Sequence, residues 1–319
     1  MELAWLEDFA ALVETGNFTR AANRRNLSQP AFSRRIQALE RWLGAPLVIR
    51  GERGVMLTSA GREFMADAEA VIRDIYRLRK NAMDTTARGD TTLHFAATHS
   101  LSHTFFPYWI GRFEELALTG GLYLISDTMA ACEQALLQGK AQFLLCHYHP
   151  AAPSCFVAGS FDFCRIGNDM LIPLSAPDES GRPLWELPGT REKPVRYLRY
   201  SAVSGLGRIL GIHEPFHSCI FNPNPEFTSH LASVLLSMTL EGKGVAWLPK
   251  TLAWQAIKDG RLMAAGCCGV WDIPLEIRLH RASGKLSSAA EAFWRWVNEE
   301  STRKAEPGSF SESINLWRV

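Results

Sequence analysis

Phe32, Ile36, Leu39 and Leu43 step along the chain by four, three and four residues, which fixes one face of an amphipathic helix within LSQPAFSRRIQALERWLG. Ser28 stands where an N-cap belongs, and Pro30 falls in the first turn, where its missing N–H costs no hydrogen bond. The opposite face carries Pro30, Ser33, Arg34, Gln37 and Arg41. Such a helix buries one side against its neighbours and presents hydroxyl, amide and guanidinium groups from the other. Its surroundings are basic through arginine alone. Between Asn17 and Arg53 there are eight arginines against Glu40 and Glu52, a local net of +6, and the first lysine is Lys80. The 319-residue chain nets only +1, so the charge is concentrated rather than general. Arginine's planar fork suits phosphate and guanine, whereas a merely solvated face would mix in lysine.

Upstream, Trp5, Leu6, Phe9, Ala10, Leu12 and Val13 recur at helical intervals, Gly16 stops that helix, and Asn17 is placed to cap a short second one. The order is helix, turn, short helix, third helix. The N-terminal end of the third fits a major groove, with Gln29, Ser33 and Arg34 reaching base edges while Arg35 and the helix N-terminus hold phosphates. LVIRGERGVMLTSAG then reads as two short strands, 47–50 and 55–57, with Arg50 and Arg53 near the tip of a wing. Thr58 or Ser59 caps a helix from about 60 to 83, whose stripe is Phe64, Ala68, Val71, Ile72, Ile75 and Leu78. One small domain cannot bury so long a helix, so a second copy of it is the expected cover; the alternative is a helix folded back on its own chain.

Beyond a hydrophilic hinge at 84–92, LHFAATHSLS reads as a strand feeding a loop, followed by a helix to about 116, the strand LYLISDT, the helix MAACEQALLQG and the strand QFLLCHY. This alternation predicts a mostly parallel sheet with ligands at the carboxyl ends of its strands, at 98–103, at 126–129 and around His147. A second alternating unit follows from about Cys164 to Met263, and the glycines of YSAVSGLG suit close approach to a ligand.

The run NFTRAANRRNLSQPAFSRRIQALERWLGAPLVIRGERGVMLTSAGREF resembles the winged helix-turn-helix of LysR-type transcriptional regulators: paired alanines, SQP, S-R-x-I-x-x-L-E, G-x-x-L and L-T-x-A-G. The resemblance implies DNA contacts by Gln29, Pro30, Ser33 and Arg34 and by Arg53 in the wing. It also implies an α+β multidomain chain: a DNA-binding head (1–58), a dimerising linker helix (59–83), the hinge (84–92) and a two-lobed α/β, periplasmic-binding-protein-like effector domain. Lobe I takes 93–163 and 267–300, lobe II takes 164–266, and 301–319 is a loose tail. The segments SQPAFSRRI, AATHSLS and EGKGVAWLP are similar to the hypochlorite-responsive subgroup. In a cleft between the lobes, Thr98, Ser100, Leu101, Ser102 and His103 would line one side, facing Thr128, Tyr200, Ser201 and His230, with His147 near the rim. Hydroxyls and loop N–H groups in that pattern suit a carboxylate or other small anion. Implied partners are double-stranded promoter DNA, a small-molecule effector, RNA polymerase and further copies of the chain as a dimer or tetramer.

Other sensing chemistries leave weaker traces. His99, His103, His147, His149 and Cys146 fall near one rim, yet no HxxH or CxxC stands behind a metal site, and histidines that hydrogen-bond are commoner. Cys164 and the vicinal Cys267 and Cys268 fall at the two expected lobe crossings, where a disulfide would make a redox switch; buried reduced thiols are the plainer reading. Met129, Met170, Met238 and Met263 show no clustering beyond core packing, although a sulfoxide there would turn an apolar side chain polar. No cofactor is expected. G-x-S-x-G, Walker A and H-E-x-x-H are all absent, which disfavours an enzyme with a fused DNA-binding head. Neither a secretory leader nor an apolar run of about 18 residues is present, so a cytoplasmic protein is expected rather than an exported binding protein.

Overall fold

The structure is a computed structural model. It describes residues 1–51, 54–86, 91–113, 120–152, 161–201, 203–221, 227–266, 269–283 and 286–305. The chain divides into two compact units, one of Met1–Gly89 with Leu137–Gly139 and one of Asp90–Leu136 with Lys140–Val319.

In the first unit, α1 (Leu3–Thr15) ends at Gly16, whose φ of 60° is the left-handed turn that glycine adopts freely. Asn17 Oδ1 accepts from the amides of Thr19 and Arg20 at 2.9 and 3.1 Å and so starts α2 (Phe18–Arg24). Ser28 caps α3 (Gln29–Leu43) by accepting from Ala31 N–H, and Pro30 sits in its first turn. The wing is an antiparallel pair, β1 (Val48–Gly51) and β2 (Gly54–Leu57). Glu40, in the last turn of α3, accepts from the amides of Leu47 and Val48 at 2.8 and 3.2 Å, anchoring the wing to the helix. Thr58 Oγ1 accepts from Gly61 N–H at 2.9 Å and opens α4 (Ser59–Thr86), which runs three residues into the expected hinge. Gly61 is required there, since a Cβ would lie 2.1 Å from the Leu47 carbonyl oxygen. Leu6, Phe9, Leu12, Phe32, Ile36, Leu39 and Leu47 form the core, joined by Ala68 and Ile72 of α4.

The second unit is organised on one sheet. In chain order it contains β3 (Leu93–Thr98), α5 (His99–Thr104), α6 (Phe106–Ile110), β4 (Leu122–Asp127), α7 (Met129–Leu137), β5 (Phe143–Tyr148) and β6 (Phe161–Ser175). Then come β7 (Arg199–Tyr200), α8 (Gly205–Leu210), α9 (Glu214–His217), β8 (Thr228–Ser229), α10 (Ala232–Leu240), β9 (Ala246–Pro249), α11 (Lys250–Lys258), β10 (Met263–Ala264), β11 (Ile273–Ala282) and α12 (Ser288–Ala305). The strands run in the order β10-β6-β11-β5-β3-β4, with β9 also paired to β6. β3 is parallel to both β4 and β5, as the alternation predicts. β11 is antiparallel to β5 and β6, so the sheet is mixed. A helix, α5, stands directly after β3 where a loop was expected.

β6 and β11 form one long antiparallel pair that serves both lobes. Cys164, Ile277 and Leu279 pack in the lobe I core with Phe95, Phe143 and Phe293. Leu171, Ile273 and Leu275 pack in the lobe II core around Trp247, whose Nε1–H donates to the Trp271 carbonyl at 3.1 Å. The crossings therefore lie within the strands, near Gly167 and Ile277, which pair across the ladder, rather than at 164 and 267. Cys164 pairs with Leu279 on the lobe I side of that point, and Gly266 lies against Trp271 and Leu187 in lobe II. Cys267 and Cys268 themselves lie outside the described residues. α12 extends to Ala305, so the start of the expected tail is helix; 306–319 lie outside the described residues. Among the described residues no helix is long and apolar enough to cross a membrane.

Candidate DNA-binding face and interlobe site

Four of the expected DNA contacts gather in the first turns of α3. Pro30 and Arg34 are exposed, while Gln29 and Ser33 are half-buried. Arg35 departs from the expectation of a free phosphate clamp, because its Nη1 donates to Asp8 Oδ2 at 3.2 Å. Arg50 lies on β1 opposite Val55; its side chain, and Arg53 altogether, lie outside the described residues.

The arginine count overstates the charge offered to DNA. Arg20 donates to the Thr15 carbonyl, Arg24 pairs with Glu14, and Arg25 bridges Asp8 and Glu7 at 2.7 and 2.6 Å. Asp8 is fully buried, and a buried carboxylate survives only when paired and hydrogen-bonded. Sequence reasoning missed this group. Its signal was the acidic pair Glu7–Asp8 set directly between the core residues Leu6 and Phe9.

At the carboxyl ends of β3 and β4, Ser102 Oγ donates to the His99 carbonyl at 2.9 Å and lies 2.6 Å from Ser126 Oγ, which is 3.0 Å from His99 Nδ1. The His99 ring faces His230 of lobe II with centroids 5.8 Å apart. Burial holds the His99 imidazole below its ordinary value; Asp127 opposes that and His230 reinforces it. The Oγ atoms of Thr98, Ser100 and Ser201 are buried with no hydrogen-bond partner among the described residues. Ser201 follows β7, and His230 follows β8, which pairs with β7 in parallel, so both stand at one end of that pair. Thr98 and Ser100 thus adjoin His99 in the chain, and Ser201, whose N–H donates to the Ser229 carbonyl at 3.0 Å, adjoins His230 across the β7–β8 pair.

Other expected cleft residues are engaged elsewhere. Leu101 is fully buried in the lobe I core. Tyr200 is 5% exposed and its hydroxyl donates to the Trp247 carbonyl at 2.9 Å, so it faces the core of lobe II instead of the cleft. Thr128 Oγ1 accepts from Ala131 N–H and caps α7, and His103 is exposed at the last turn of α5. The buried His147 ring lies 3.0 Å from Asp169 Oδ2, which also accepts from Thr251 Oγ1 at 2.6 Å. That group ties β5 to lobe II near the crossing.

The lobes also meet where Arg208 Nη1 reaches both oxygens of the buried Glu133 at 3.2 Å and where Gly205 leaves room for Met129. Of the expected rim, Cys146, His147 and His149 line one pocket, where His149 Nδ1 accepts from Ala151 N–H and Cys146 packs with Cys132. Among the described residues no group of three or more His, Cys, Asp or Glu side chains could hold a metal ion.

Residues 3–62 match the sequence profile described as "Bacterial regulatory helix-turn-helix protein, lysR family", and residues 87–302 match "LysR substrate binding domain". The HTH-type transcriptional regulator YjiE of Escherichia coli (strain K12) is 30% identical over 302 residues, covering 94% of this chain and 95% of the relative. Among solved structures, Vibrio fischeri DarR in complex with DNA is 28% identical at a TM-score of 0.55, covering 93% of this chain and 98% of that one. Full-length HypT from Salmonella typhimurium, a hypochlorite-specific LysR-type regulator, is 28% identical at a TM-score of 0.55, covering 95% and 99%. With a helix-turn-helix head, an effector domain, and a regulator matched along nearly its whole length, the chain belongs to the LysR family of DNA-binding transcriptional regulators.

Proposed function

We propose that the protein binds promoter DNA as a dimer or tetramer in the cytoplasm and that a small carboxylate or other small anion, held between the effector lobes, switches its geometry on DNA. The observation that carries the effector reading is the trio of buried, unpartnered hydroxyls, Thr98, Ser100 and Ser201, drawn from both lobes. A buried polar group left unpaired costs about 1–3 kcal/mol, so acceptor oxygens arriving between the lobes would recover that cost while tying the lobes together. Arg34 and Gln29 read base edges, Arg35 holds phosphate, and two recognition helices meet successive major grooves of a pseudo-palindromic site. RNA polymerase is the downstream partner of this reading.

Oxidant sensing, which the similarity to hypochlorite-specific HypT brings forward, has less support among the thiols. Burial pushes Cys132 and Cys219 up to about 12 and raises Cys146 and Cys164, which keeps all four protonated and poorly nucleophilic.

The test is a footprint on a duplex enriched from random sequence by the wild-type protein, with and without a panel of organic acids. Ser100→Ala with Ser201→Ala should abolish the acid-dependent change in footprint while preserving DNA binding. Arg34→Ala should cost about 1–3 kcal/mol of binding and relax sequence preference. An unchanged acid response in the double variant, or unchanged binding by Arg34→Ala, would contradict the corresponding half of the reading.

A further inference from the structure

Four hydrogen bonds among five side chains connect the linker helix to the recognition helix through α1. The Tyr76 hydroxyl of α4 donates to Glu7 Oε1. Glu7 Oε2 accepts from Arg25 Nη2 at 2.6 Å, Arg25 Nε donates to Asp8 Oδ1 at 2.7 Å, and Asp8 Oδ2 accepts from Arg35 Nη1 at 3.2 Å. Every member is specified by geometry. Asp8 is wholly buried and has an arginine on each oxygen; Arg25 uses its fork to hold two carboxylates of one helix at once. Arg35 keeps 37% of its side chain exposed, so the same guanidinium that Asp8 fixes is also open on the recognition helix. The hydrogen bond to Glu7, with burial adding to it, raises the Tyr76 hydroxyl above its ordinary value, which keeps it a donor.

We propose that Tyr76 is a positioning residue for DNA binding: through Glu7, Arg25 and Asp8 it sets the orientation of Arg35, so that the linker helix controls the phosphate grip of the recognition helix. Charge-assisted bonds favour this transmission because each is directional and gains strength where water is excluded. A change in how α4 is held at Tyr76 would free Glu7, relax the Arg25 fork, and let Asp8 and Arg35 move together. The inference rests on the reading that Arg35 holds a phosphate.

The experiment measures equilibrium binding of the full-length protein to its enriched duplex and to a scrambled duplex between about 50 and 200 mM salt. Arg35→Ala should lower the slope of log K against log salt by about 0.9, the loss of one phosphate contact. Tyr76→Phe should weaken binding about three- to tenfold and lower the slope in the same direction, with its melting temperature within a few degrees of wild type. The double variant should bind no worse than Arg35→Ala alone, because both changes remove one function. A wild-type affinity and slope for Tyr76→Phe, or full additivity in the double variant, overturns the relay while leaving the Arg35 contact standing. A wild-type slope for Arg35→Ala sinks the phosphate reading and the relay with it. If Tyr76→Phe melts too low to assay, Glu7→Gln removes the charge from the same chain and carries the same expectation.

Discussion

Among single residues, charge is the property that composition describes least well. The sequence shows eight arginines over 17–53, yet Arg24, Arg25 and Arg35 answer to carboxylates on α1. Arg34 was legible as an exposed side chain because it lies opposite a clear apolar stripe; the ion pair of Arg35 was not, because its partner lies 27 residues away. The same limit applies to Tyr200 and Leu101, whose loop-like contexts concealed side chains that point into cores. His280 illustrates a titration that only packing reveals. It is 6% exposed on β11, and burial, with Arg278 nearby, lowers it to about 4. The unfolded chain, with an ordinary histidine near 6.5, then binds more protons than the fold between those two values. The neutral form's contribution to stability is present above the unfolded value and is lost as pH falls toward about 4. Melting followed from about pH 7 to about pH 5 should therefore show a decline that His280→Leu flattens; an equal decline in the variant would show that other groups govern it.

For the secondary-structure elements, periodicity and caps did most of the prediction. Gly16, Asn17, Ser28 and Thr58 act at the turns where the sequence puts them, and the strands of the wing shift by a single residue. The lobe crossings were harder. Alternating strands and helices suggest parallel pairing, but nothing local tells β6 and β11 to pair antiparallel through two cores, so the boundaries fell at strand or loop edges instead of inside the strands. α4 carries two apolar faces. Ala68 and Ile72 are buried against the helical unit, while Val71, Ile75 and Leu78 are 41%, 38% and 64% exposed. A second copy is the proposed cover for that second stripe. Ile75→Glu combined with Leu78→Glu should shift the mass measured by light scattering toward the monomer while leaving the fold's own stability within about 0.5 kcal/mol, as expected of exposed positions. An unchanged mass would assign the stripe another role.

For the whole molecule, the two ends of the chain differ in how openly they declare themselves. The head is legible because DNA recognition uses short-range motifs whose spacing is fixed by helix geometry. The effector site is less so. Its proposed residues come from β3, α5 and the segments just after β7 and β8, brought together only by the folding of two lobes, and the one contact among them across the lobes is that of His99 with His230. The central claim is that this meeting point binds a small anion. Thermal melting of the full-length protein against graded organic acids, amino acids and inorganic anions tests it most directly, since a ligand that binds only the fold adds about 2.7 kcal/mol at a hundredfold excess over Kd. The account predicts a saturable rise with at least one small carboxylate or anion, lost in Ser100→Ala with Ser201→Ala. A melting temperature indifferent to every anion, but shifted by hypochlorite and restored by a thiol reductant, would contradict it.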